Sequence, residues 1–252
     1  MKFRLRAFAL HLAGSTTVLA LVWGVLYLGW YYWPGWYLTG VSLVAGLMVG
    51  VDLVLGPSLT LLIANPNKPR RELTRDIGVI VAVQVCALIY GTTTLWSGRP
   101  LYYLYSEKWL ELVQASDISA HEANLARDQN PQFAPHWYSL PRWAWAPLPD
   151  NREEAKRIIQ QALAGGADVT QMPRMFRSYE RGYSEMRARL KVLESLREFT
   201  AQDKKNLRRQ MIERGFDADQ PIGMVLIGHA GPLLAVVDPA TLHIRALLRP
   251  DR

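Results

Sequence analysis

The sequence predicts an α+β membrane protein: a three-helix transmembrane bundle over residues 1–98, then a periplasmic domain over residues 99–252 with helices packed on a small antiparallel sheet. Three observations predict it. Three apolar stretches long enough to cross a bilayer stand before residue 99. The charges divide unevenly, with three acids and seven bases before residue 99 and nineteen acids and twenty-two bases after it. Beyond residue 222 the apolar pattern shortens to strand-length segments separated by turn residues.

The spans are predicted at about residues 8–31, 38–63 and 77–96. Each meets the roughly 20 apolar residues needed to cross the hydrocarbon core. The first follows Lys2, Arg4 and Arg6 as a signal peptide would, but its apolar run is too long and lacks a small-residue cleavage site, so it reads as an uncleaved helix. Between spans one and two, Trp30, Trp33, Trp36 and Tyr37 flank the turn residues Pro34-Gly35; such aromatics favour the membrane interface. The bases of this third of the chain fall in two places, the N-terminal tail and the loop Lys68, Arg70, Arg71, Arg75. Both belong on the cytoplasmic side, which puts the N-terminus in the cytoplasm and residues 99–252 in the periplasm of a bacterial inner membrane. The net charge of +7 is therefore no mark of nucleic-acid binding, because the bases are mixed with acids or sit beside spans.

Asp52 stands about halfway along span two. A carboxylate there costs at least about 2.5–3.5 kcal/mol to insert and must face protein or water. Gln84 of span three and Thr16 and Thr17 of span one are candidate neighbours. Asp52 reads either as a bundle lock or as a contact for a partner helix or coupling ion. Ser42, Gly46 and Gly50 line one helix face on which another helix could pack closely, within the bundle or from another protein. Gly56-Pro57 predicts a kink. The loop Asn65-Pro66-Asn67-Lys68-Pro69 is stiffened by prolines. Its bases set topology or meet anionic lipid or a cytoplasmic partner.

In the second part, Leu101–Tyr105 reads as a strand and Ser119-x-x-Glu122 as a capping box. Residues 130–149 read as irregular, their prolines and tryptophans covering the core, lying on the membrane or forming a binding surface. Asp150-x-x-Glu153 opens a helix ending at Gly165-Gly166. A longer helix is predicted over about 174–199 and another over 200–214, closed by Gly215. Segments 223–227, 233–237 and 242–248 predict a three-stranded antiparallel meander. The one cysteine, Cys86, lies in an apolar run, so no disulfide is expected. The five histidines show no metal-ligand spacing, and no nucleophile elbow, phosphate loop or dinucleotide fingerprint occurs. No catalytic, metal or cofactor site is expected.

One stretch is more specific than composition. Gly50-Val51-Asp52-Leu53-Val54-Leu55-Gly56-Pro57, Leu59-Thr60-Leu61-Leu62, Asn65-Pro66, Lys68-Pro69 and Arg71-Glu72-Leu73 resemble the hallmark of type IV pilin accessory proteins of the TfpX/TfpZ family, related to the FimB proteins. The likeness continues through Arg75-Asp76, Val83-Gln84, Tyr90-Gly91 and Arg99-Pro100-Leu101-Tyr102. The resemblance implies a non-enzymatic inner-membrane accessory protein or chaperone that assists assembly or surface display of a specific type IV major pilin. The pilin and the assembly-platform proteins would then be its partners, beside the lipid bilayer. It does not assign roles to single residues. Two other classes remain open from the residues: a periplasmic sensor signalling through its helices, though about twenty cytoplasmic residues leave no output domain, and a small ion-coupled subunit built on Asp52.

Overall fold

The computed structural model describes residues 1–107 and 109–251. The chain divides into two compact units, one of residues 1–32 and 40–98, the other of residues 33–39 and 99–252.

The first unit holds three helices long and apolar enough to cross a membrane: α1 (Lys2–Tyr31), α2 (Ser42–Ile63) and α3 (Arg70–Ser97). Their lipid-length apolar surfaces are mostly exposed in the isolated chain, as expected of helices whose outer solvent is hydrocarbon. Two of them are not uniformly α-helical. Residues Tyr27–Tyr31 of α1 and Gly50–Leu55 of α2 wind as π-helix, with hydrogen bonds one residue longer than in the α form. Within the bundle, Gly91 of α3 makes room for a side chain of α2. A Cβ on Gly91 would lie 2.7 Å from the Met48 side chain of α2. At the far end, Trp30 stacks edge-on to Trp96, and the Tyr31 hydroxyl donates to the Leu95 carbonyl at 2.7 Å.

The second unit is built on a six-stranded mixed sheet in the order β3-β1-β2-β4-β5-β6. Its strands are β1 (Pro100–Ser106), β2 (Trp109–Gln114), β3 (Arg142–Trp145), β4 (Gly223–Gly228), β5 (Gly231–Val237) and β6 (Ile244–Leu248). β4, β5 and β6 form the expected antiparallel meander. β1 and β2 form a hairpin that joins it through a short parallel pairing of β2 with β4. β3 pairs in parallel with β1 and arises from the proline-rich stretch predicted as irregular.

The strands alternate as a sheet covered on both faces requires. Tyr103, Tyr105, Leu110, Leu112, Met224 and Leu226 point into one core. Tyr102, Leu104 and Val113 point into a second core with Phe133, Ile158 and Phe176. Val225, Leu234 and Leu248 meet a third with Leu207 and Met211.

Helices α4 (Ala120–Gln129), α5 (Arg152–Leu163) and α6 (Ala201–Glu213) start at side chains that satisfy otherwise unpaired backbone N–H groups. Ser119 accepts from the Glu122 N–H, Asn151 from Glu153 and Glu154, and Thr200 from Asp203. Glu122 does not complete its box. Its carboxylate turns to Arg174, with Nε at 3.0 Å; Glu122 is buried and Arg174 partly exposed.

The long helix predicted over 174–199 does not form. The segment is a chain of 3₁₀ turns, Pro173–Met175, Tyr179–Gly182 and Leu193–Ser195, with one helical turn at Tyr183–Arg187. Leu190, Leu193 and Leu196 are spaced by three, which suits a 3₁₀ turn as well as a helix face. Long-range pairings then decide between them: Arg177 bridges Trp145 and Lys191 bridges Gly223, drawing the chain along the sheet. In the turn before β6, the Asp238 carboxylate accepts from the Thr241 and Ala240 N–H groups and pairs with Arg245, which together hold it at about 2.

The connector between α1 and α2 belongs to this second unit. Residues Gly35–Thr39 form one helical turn. Leu38 is fully buried among Tyr105, Leu226 and Leu233, and its carbonyl accepts from the Ala230 N–H at 3.0 Å. Gly228 makes the contact possible: a Cβ there would lie 2.6 Å from the Leu38 carbonyl oxygen. Tyr37 lies under the Arg249 guanidinium, 4.5 Å from ring to charge.

Candidate functional site

The sharpest chemistry lies inside the first unit, at the π-helical turn of α2. Ordinary α-helical bonding would give the Asp52 carbonyl the Gly56 N–H. In the π turn that N–H goes instead to Val51. The next donor in line for Asp52 belongs to residue 57, which is proline and has none. The carbonyl of Asp52 is thus left without a helical partner, in a setting where water cannot supply one.

Gln84 of α3 fills that place. Its Nε2 donates to the Asp52 carbonyl at 3.1 Å and leans toward Asp52 Oδ1 at 3.5 Å. The approach needs Gly56, because any Cβ there would overlap the Gln84 amide. The Gln84 Oε1 then faces His11 Nε2 of α1 at 2.6 Å, and His11 Nδ1 meets the Thr60 hydroxyl, also at 2.6 Å. An amide oxygen only accepts, so His11 carries a proton on Nε2. One chain of polar contacts, Thr60–His11–Gln84–Asp52, therefore links all three helices. Asp52, Thr60 and Gln84 are 5, 1 and 6% exposed. Asp52 Oδ2 is buried and has no hydrogen-bond partner among the described residues.

Beside this chain a groove opens between α1 and α3, over the part of the bundle nearer Arg6. The groove between them encloses about 800 Å³. Phe3, Leu10 and Gly14 line one wall and Ile77 and Val81 the other, with Asp52 and Thr60 at the floor.

The structure brings Gln84 to Asp52, as the matching depth predicts. Thr16 and Thr17 are exposed, and the Thr17 hydroxyl returns to its own helix at the Ala13 carbonyl. Their place is taken by His11 and Thr60, which residue-by-residue reading passes over. The available signal is a histidine within an apolar span, which is expensive unless partnered.

The small-residue row faces away from the bundle. Ser42 and Gly46 are exposed, and a Cβ on Gly46 or Gly50 would meet nothing within 4 Å. Gly56 and Pro57 are buried.

The loop is compact. Asn65 accepts from the Asn67 and Lys68 N–H groups. Pro66 follows Asn65 in that turn, and Pro69 precedes the first residue of α3. Lys68 pairs with Asp76, and Arg75 lies 3.6 Å from the same carboxylate. Arg70 and Arg71 project outward. Of the connector aromatics, Trp30 is buried in the bundle, Trp33 is exposed, and Trp36 and Tyr37 are half-buried in the second unit.

Comparison with known proteins agrees with a whole-chain likeness rather than a motif alone. The chain is 24% identical over 253 aligned residues to a fimbrial assembly protein of serogroup I from Dichelobacter nodosus, covering 99% of this chain and 96% of that one. It is 22% identical, with the same coverage, to the fimbrial assembly protein of serogroup E1 from that organism. A third, of serogroups C1 and C2, is 29% identical over 120 residues, which are 48% of this chain and 92% of the relative. No family model matches the sequence, and no solved structure matches the fold.

Proposed function

We propose that this chain is a fimbrial assembly factor of the bacterial inner membrane, a non-enzymatic accessory protein that assists assembly or surface display of a type IV pilin. The observation that carries the reading is the similarity to two fimbrial assembly proteins over 99% of the chain. The likeness spans the bundle and the second unit together, so the working protein includes both.

The three apolar helices support a membrane station. The basic tail and loop support a cytoplasmic N-terminus, with the second unit in the periplasm. The connector supports an odd number of spans before the second unit in either orientation, because residues 33–39 fold with residues 99–252 and both must lie on one side of the bilayer.

Two surfaces suit a membrane-held pilin. The outward row Ser42, Gly46 and Gly50 offers a shallow face on which another apolar helix can pack closely. The exposed Trp137 and Tyr138 of the second unit offer an aromatic patch outside the membrane. The pilin is the partner in this reading, with assembly-platform proteins as further candidates.

The test is an in-frame deletion complemented by the full chain, with surface fimbriae and total pilin measured separately. Surface fimbriae fall while pilin synthesis continues. Unchanged surface fimbriae in the deletion sink the proposal.

A further inference from the structure

The groove between α1 and α3 is apolar on its walls and polar at its floor. Packing within the bundle explains most of the floor: Gln84 serves the Asp52 carbonyl, and His11 joins Gln84 to Thr60. It leaves Asp52 Oδ2 with no donor among the described residues. A buried carboxylate oxygen without a donor is costly, and most such groups in folded proteins are satisfied. The torsion that turns the carboxylate is soft and nearly two-fold, so either oxygen can be presented to the groove.

The occupant must therefore be largely apolar yet bring an N–H or O–H group to the depth of Asp52. That residue is midway along α2, which spans Ser42–Ile63. Lipid acyl chains carry no donor at that depth. A helix does, on a Ser, Thr, Asn, Gln, Lys or protonated acidic side chain. The volume agrees. One helical turn of about 10 Å diameter and 5.4 Å pitch fills roughly 420 Å³, so the groove accommodates about two turns.

We propose that this groove is a docking site for a transmembrane helix of another protein, recognised by a hydrogen bond from a polar side chain of that helix to Asp52. The site is distinct from the outward face of Ser42, Gly46 and Gly50. It rests on the fimbrial reading only in taking the fimbrial subunit as the helix to be probed.

The test uses the full chain in native membranes, with a photo-crosslinking benzoylphenylalanine in place of Phe3 or Leu10 in the groove, and of Leu21 outside it as control. Adducts are read with antibody to the fimbrial subunit and by mass for lipid. The expected result is a subunit adduct from Phe3 and Leu10 but not Leu21. It falls about ten-fold in Asp52→Leu, the equivalent of one hydrogen bond of about 1.4 kcal/mol. Asp52→Asn, which keeps an acceptor oxygen, retains it. Gly14→Trp, where a side chain meets open space, fills the groove and abolishes it. Lipid adducts alone, no adduct, or a subunit adduct indifferent to both Asp52→Leu and Gly14→Trp overturns the inference. If fimbriae still depend on the chain in that case, the assembly function stands and the groove fails by itself.

Discussion

Gly56→Ala is the smallest change that challenges the bundle's polar chain. The added methyl would overlap the Gln84 amide. That amide ends a flexible side chain, so steric relief alone is cheap. Moving it, however, breaks the bonds to the Asp52 carbonyl and His11, and the carbonyl has no alternative because Pro57 lacks an N–H. An unsatisfied buried carbonyl costs about 1–3 kcal/mol, and hydrogen bonds between membrane helices contribute about 0.6–1.7 kcal/mol. Gly56→Ala should therefore cost about 2 kcal/mol. At roughly 2–4 °C per kcal/mol, this lowers the midpoint by about 4–8 °C. Gly46→Ala, in open space on the same helix, should stay within about 0.5 kcal/mol. Thermal unfolding of the full chain in lipid nanodiscs provides the measurement. The decisive comparison adds Gln84→Ala. That change alone should cost about as much as Gly56→Ala, and on its background the alanine at 56 should cost nothing, a strong departure from additivity. Additive losses, or a neutral Gly56→Ala, would refute the account of why glycine and proline stand together there.

The remaining predictions concern the second unit. Leu38→Ala, at a fully buried site, should destabilise it by about 2–5 kcal/mol, measured by chemical unfolding of the full chain in nanodiscs. Gly228→Val should push the connector off the sheet, and limited proteolysis should then cut within residues 33–39. Glu122→Ala leaves the partly buried Arg174 guanidinium without its carboxylate and should cost about 1–3 kcal/mol, whereas Glu122→Ala with Arg174→Met should recover much of it. Asp238 has a folded-state pKa of about 2, below its unfolded value, so its stabilisation is present above about pH 4 and is lost as pH falls toward 2. Amide exchange in β6 should accelerate over that window, and Asp238→Asn should remove the dependence.

Local signals carried much of the fold. Span length, the cap at Ser119, glycines at 165 and 215, and the alternation of the meander each depend on residues close in sequence, and each appears in the structure. The pairings of β2 with β4 and β1 with β3 join distant segments, and nothing local announces them. Over residues 174–199 a leucine spacing of three does not distinguish a helix from successive 3₁₀ turns, and sheet bridges make the choice. In the bundle, Asp52 and Gln84 were legible as polar groups at one depth. His11 was not, because its partners come from the other two helices. The aromatic connector read as a membrane-interface segment, since Trp and Tyr favour that setting. Composition alone does not reveal that Leu38 completes a core whose other members come from far along the chain.

That last contact imposes an order on biosynthesis. Leu38 leaves the ribosome long before the strands that enclose it, so the slot beside Gly228 and Leu233 fills only once the connector and residues 99–252 stand on the same side of the bilayer. Completion of the second unit thus depends on a segment that lies between two membrane-length helices. A chain that leaves its connector across the bilayer from residues 99–252 cannot bring Leu38 to its slot and keeps an apolar gap in the sheet's core. Residues 99–252 produced alone carry the same gap and should be less stable than the same segment supplied with a peptide of residues 33–39.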